Sequence, residues 1–267
     1  MISDTFRLFL VVLVSAVAGG MNAIAGGGTL LTFPALIGLG IPPIVANATS
    51  TVALWPGSLA SIWGYRDELR GARRWAIGFA VPSLLGGALG AWLLLHTPPG
   101  RFARLVPWLV LGATTLFMVQ GPLMARVRRR RGMVAAAAEV DHGGDAALTQ
   151  GLPSASILVY QFFVGVYGGY FGGGIGILML AALGFMGLTN IHRMNGLKNW
   201  GGLCMNLVAA ATFAFSSLVN WPVALSMAAG ALAGGYGGSR IALRVPQRHV
   251  RHAIIAIGLF AGVWLMR

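Results

Sequence analysis

Eight apolar runs divide this chain, at about 6–25, 43–64, 75–95, 104–124, 152–171, 194–215, 221–241 and 250–266. Each is long enough to cross roughly 30 Å of hydrocarbon. Two shorter runs, about 28–40 and 175–188, each follow a glycine triplet. Backbone groups in hydrocarbon have no water to bond to, so runs of this kind fold as helices. Composition agrees: 57% of the 267 residues are hydrophobic and 9% charged, with mean hydropathy +0.76, whereas soluble domains carry about a quarter charged residues. The chain therefore reads as an all-α integral membrane protein. Its six acids, Asp4, Asp67, Glu68, Glu139, Asp141 and Asp145, lie in the N-terminal tail or in polar connections. No carboxylate is expected inside the bilayer. The first run, Phe6 to Ala18, flows into further apolar sequence and reads as a membrane helix, not as a removed signal.

The net charge of +13 suits nucleic acid in a soluble protein, but most arginines here flank apolar runs, where they mark the cytoplasmic side. Lipid is the expected macroscopic partner, and nucleic acid is not. Cys204 is the single cysteine, so no disulfide forms within this sequence and a two-thiol relay is excluded. There is no His/Cys/carboxylate cluster with metal spacing, no paired carboxylates, and no Ser or Cys beside a base. Neither a cofactor nor an enzymatic activity is expected.

The sequence repeats. Asn47 and Asn195 lie 148 residues apart, as do Thr51 and Asn199, Gly86-Gly87 and Gly234-Gly235, Gly90 and Gly238, and Pro98 and Pro246. The triplets Gly26-Gly27-Gly28 and Gly172-Gly173-Gly174 are offset by 146. A near-constant offset across separate segments points to duplication. The first membrane repeat covers 1–124, an arginine-rich cytoplasmic linker 125–151, and the second repeat 152–267.

Loop charge sets the orientation of the copies. "YRDELRGARR" (65–74) is arginine-rich where its counterpart "FSSLVNW" (215–221) is uncharged; "RIALRVPQRHVRH" (240–252) carries four arginines against two in "HTPPGRFAR" (96–104). Because the bias reverses between equivalent loops, the halves are expected to be inverted, with an odd number of elements in each. Five elements per half meet that condition.

Glycine triplets halfway along apolar sequence are expected to break helices, which a membrane tolerates only where protein or a water-filled cavity surrounds the break. The helices starting at Thr29 and Ile175 would then aim their free N–H groups and positive dipole ends at the break, where an anion is favoured. Close helix packing is the other use of such glycines, and Gly86, Gly87, Gly90, Gly234, Gly235 and Gly238 are assigned to it.

Polar groups recur at helical spacing. Asn47, Thr51 and Ser58 share one face, and Asn195, Asn199 and Asn206 share the equivalent one. They suit either hydrogen bonding to an oxyanion or bonding between helices. Lys198, the single lysine beside eighteen arginines, falls about two turns inside its helix. With no carboxylate to pair it, a bound anion is its expected partner; snorkelling to headgroups is the alternative. His192 and Arg193 read as an interfacial anchor.

"GGMNAIAGGGTLLTFPALIGLGIPPIVANATSTVAL" (19–54) and "GVYGGYFGGGIGILMLAALGFMGLTNIHRMNGLKNW" (165–200) resemble the paired signatures of the TauE/SafE family, also called toluene sulfonate uptake permeases. The resemblance covers nearly the whole chain apart from the linker. It implies movement of small sulfur oxyanions or organosulfonates, such as sulfite or sulfoacetate, across a bacterial inner membrane, often outward. By position it implies substrate binding by Asn22, Gly26, Gly27, Gly28, Thr29, Asn47, Thr51, Gly172, Gly173, Gly174, Asn195, Lys198 and Asn199. Gly168 stands at the place of Asn22 and Ile175 at that of Thr29, so the half-sites differ chemically. The expected activity is secondary transport by alternating access. A passive anion channel is the alternative, and a membrane-embedded enzyme a weaker one. The substrate, coupling ion and direction stay open, and a homodimer is compatible with the sequence.

Overall fold

The computed structural model describes residues 4–70, 72–130, 151–188, 190–241 and 247–266, in which the chain forms eleven helices and no strand. The first five are α1 (Asp4–Ile24), α2 (Thr29–Gly38), α3 (Pro43–Gly64), α4 (Arg66–Arg70) and α5 (Arg73–Leu95). They are followed by α6 (Pro99–Arg130), α7 (Ala155–Tyr170), α8 (Ile175–Phe185), α9 (Ile191–Ala214), α10 (Trp221–Ile241) and α11 (Gln247–Trp264). The long and short apolar runs each became a helix at nearly their expected bounds. The short helix α4 was not anticipated. The first residues of the linker continue α6 to Arg130; residues 131–150, and Pro246 of the repeat pairs, lie outside the described residues.

Local chemistry sets the boundaries. Pro42-Pro43 opens α3, because a proline at the first helical position loses no hydrogen bond. Asn190 caps α9, its Oδ1 accepting from the amides of His192 at 2.9 Å and Arg193 at 3.2 Å. The segments spanning 7–24, 73–95 and 99–119 are long and apolar enough to cross a bilayer unaided. At the other extreme, α2 and α8, with 10 and 11 residues, rise only about 15–17 Å, half the hydrocarbon thickness.

Packing is reciprocal between the halves. The most extensive contacts join α1 to α10, α3 to α10, α5 to α7 and α5 to α9; α3 also packs on α9, and α6 on α11. The first helix of each half, α1 or α7, thus lies on the last helix but one of the other, α10 or α5. Small residues make these approaches close. A methyl group on Gly19 would lie 2.7 Å from the Ala231 carbonyl oxygen, and one on Gly165 would lie 3.1 Å from Gly86 Cα. Gly90 against Val166 and Gly169, Gly234 against Ala16, and Gly238 against Gly20 continue the two seams. Away from the seams the surface is apolar: Trp108, Phe163, Leu225 and Phe260 stand 64–75% exposed, as suits a lipid-facing wall.

Candidate functional site

Helix α1 stops because the residues after it leave the right-handed region. Gly26 has φ +77° and Gly27 φ +101°, and in the second half Gly172 and Gly174 both have φ +80°; L-residues pay roughly 1–2 kcal/mol to stand there, and glycine does not. The two connections run side by side in opposite senses. A methyl group on Gly26 would lie 2.8 Å from Gly176 Cα, and one on Gly172 would lie 3.8 Å from Thr29 Oγ1. The starts of α2 and α8 therefore meet, but in van der Waals contact. Phe33 and Phe171, both fully buried, close over them edge to face with centroids 5.5 Å apart.

The polar chemistry gathers beside the α1 break, at its carbonyl end. The last carbonyls of a helix lack partners within it and carry the negative end of its dipole. Lys198 Nζ donates to Asn22 O at 3.1 Å and to Ala23 O at 3.2 Å, and is 2% exposed. Asn199 Nδ2 donates to Ala23 O at 3.2 Å and to Ser61 Oγ at 2.9 Å. One helix face, Lys198 and Asn199 of α9, thus ties the end of α1 to α3. Next to it is a cavity of about 10 Å³, lined by Gly19, Asn22, Ala23, Leu54, Gly57, Ser58, Ser61 and Asn199. That is room for about one water molecule.

The other break is served differently. Asn47 Nδ2 donates to Tyr170 O, the last residue of α7, at 3.0 Å, and Thr51 Oγ1 turns back to Asn47 O at 3.0 Å. Asn47 and Ser61 are fourteen positions apart on α3, about 21 Å at 1.5 Å per residue. The ends of α1 and α7 consequently reach opposite ends of α3.

Of the residues expected to bind substrate, Asn22, Lys198 and Asn199 are brought together with Ser58 and Ser61. Gly26 and Thr29 lie against Gly176 and Gly172 of the other connection and Gly173 against Leu30, whereas Gly27 faces Phe117, Gly28 faces Ala18 of its own hairpin, and Gly174 faces Ala113. Asn47 and Thr51 sit apart, at the α7 end. Asn195 is 1% exposed, and its Oδ1 has no hydrogen-bond partner among the described residues. The expected partner of the Lys198 ammonium was an anion; here the ammonium is seated on carbonyls of the opposite half. Ser61 joins the site without having been singled out, although it follows Ser58 by one helical turn. His192 and Arg193, expected to anchor the helix end, are half-buried, and His192 Nδ1 and the Nε and Nη1 of Arg193 have no hydrogen-bond partner among the described residues.

A family model described as sulfite exporter TauE/SafE matches residues 11–265. A probable membrane transporter protein of Haemophilus influenzae is 28% identical over 249 residues, covering 91% of this chain and 88% of its own. The probable membrane transporter protein YfcA of Escherichia coli strain K12 is 28% identical over 263 residues, covering 95% of this chain and 87% of its own. The probable membrane transporter protein ORF9 of a Sinorhizobium species is 26% identical over 267 residues, covering 98% and 93%. No solved structure matches the chain.

Proposed function

The chain belongs to the sulfite exporter TauE/SafE family, a premise from which we propose that it moves small sulfur-containing anions, sulfite or organosulfonates, out across a bacterial inner membrane. It is a multi-pass membrane transporter. In our reading the two halves are inverted copies of one five-element unit, the first over 1–124 and the second over 152–267. Alternating access arises as the hairpins α1–α2 and α7–α8 shift against the helices they cross. The reciprocal packing of α1 on α10 and of α7 on α5 supports this arrangement.

The observation that carries the proposal is the cluster of Asn22, Ser58, Ser61, Lys198 and Asn199 around the end of α1. It offers one fixed positive charge, amide and hydroxyl donors, and a small polar cavity. Two of the three ammonium hydrogens are taken by carbonyls, and the third is free for an oxyanion. A cavity sized for one water is too small for sulfite, so the anion enters only when α1 parts from α3 and α9. Cargo-dependent separation of this kind is what distinguishes a carrier from a pore. The test is counterflow of labelled sulfite in proteoliposomes. The proposal requires saturable uptake that is accelerated by unlabelled sulfite inside; linear flux without counterflow would indicate a channel and overturn it.

A further inference from the structure

The ends of α1 and α7 occupy equivalent places, yet only one of them carries a charge. On α1, Asn22 O and Ala23 O receive the Lys198 ammonium. The repeat spacing of 148 carries Asn195 onto Asn47, Asn199 onto Thr51 and Lys198 onto Ser50. Ser50 brings no charge to α7, and its hydroxyl is engaged by Thr32 Oγ1 at 2.6 Å. Thr51 does not reach α7 either, since it bonds back to Asn47 O. Among the described residues, the side-chain donor at the negative end of the α7 dipole is neutral: Asn47 Nδ2, on Tyr170 O.

The same asparagine supplies the second observation. Asn47 is fully buried, and its Oδ1 has no hydrogen-bond partner among the described residues. The same amide donates through its nitrogen to Tyr170 O, so this oxygen lies in the same junction. A buried acceptor without a donor costs about 1–3 kcal/mol; its repeat counterpart, Asn195 Oδ1, is likewise unpartnered, but three residues on from it Lys198 brings a cation, where Ser50 brings none. Oxygen donors from an asparagine and an unwound helix end are hard ligands suited to a small monovalent ion.

On the inverted-repeat reading above, we propose that the end of α7 is a sodium site. Asn47 Oδ1, Tyr170 O and the neighbouring carbonyls of the last turn of α7 hold the ion in place of the ammonium that Lys198 supplies at α1. One half thus carries a tethered cation and the other an exchangeable one, and the exchangeable ion couples anion movement to the sodium gradient. The roughly 21 Å along α3 between the two ends keeps the charges well apart.

The test is sodium-22 binding to the purified chain without any anion, with unlabelled sodium, potassium and choline as competitors. Saturable binding displaced by sodium, and not by choline or equimolar potassium, is expected. Asn47→Ala is expected to weaken it by at least about tenfold. Ser50→Lys, which places a tethered ammonium at the equivalent position, is expected to abolish it; if that variant does not fold, Asn47→Ala decides. No saturable binding by the wild-type chain, or undiminished binding by Asn47→Ala, overturns the site. Because the assay contains no sulfite, its failure is distinct from failure of sulfite transport.

Discussion

Replacing Lys198 by Met separates the role of its charge from the role of its bulk. Methionine keeps a long flexible stem and removes the ammonium. Neither carbonyl is orphaned by the change: Asn22 O keeps the Gly26 amide at 3.2 Å, and Ala23 O keeps Asn199 Nδ2 at 3.2 Å. The loss is two charge-assisted hydrogen bonds, about 1.5–3 kcal/mol each. The gain is relief from burying an ammonium, which costs several kcal/mol after relaxation. The two nearly cancel, and stability is expected to stay within about 2 kcal/mol of the parent. Binding changes far more. An anion admitted beside Asn22 and Asn199 to within about 5 Å of the ammonium would lose about 3 kcal/mol at an effective dielectric of 20, or more than about 100-fold in affinity. The assays are detergent-solubilised thermal stability and sulfite counterflow on the same preparation. A variant that transports with the parental KM would refute the role given to the ammonium. A variant that no longer folds would show that its contacts with α1 are structural first.

Two further substitutions bracket this result. Gly26→Ala forces a side chain into φ +77° and against Gly176 Cα; a loss of at least about 3 kcal/mol is expected, read as a lowered melting temperature with little protein in the membrane. Gln161→Leu removes the bond from Gln161 Nε2 to Ser83 Oγ, 2.9 Å long and fully buried between α7 and α5. It is expected to cost about 1–2 kcal/mol and to leave sulfite turnover per folded molecule unchanged.

Much of this architecture was legible because a bilayer leaves so few options. Apolar length alone gave the eight long helices and the two short ones, since a hydrocarbon solvent forbids other uses of such runs. The glycine triplets marked the breaks for the same reason. The short helix α4 was not legible: "RDELR" has no apolar face to read, and its acids and arginines were informative only as loop charge. At the site, Lys198 and Asn199 stood out by type and depth, whereas their partners did not. Those partners are main-chain carbonyls of Asn22 and Ala23, and every residue owns one, so no residue type announces them. The Gln161–Ser83 pair went unread because a lone glutamine and a lone serine, 78 positions apart, carry no pattern until α5 and α7 are packed together.

The account stands on the claim that the cavity at the end of α1 opens alternately to the two sides of the membrane. A cysteine at Ser58, which lines that cavity, placed in a Cys204→Ala background, reports this directly through its reaction with a small membrane-impermeant methanethiosulfonate. The reagent is applied separately to right-side-out and inside-out vesicles. Reaction from both sides, slowed by sulfite on each, is the expected result. A cysteine that reacts from one side only, or that sulfite never protects, would contradict it.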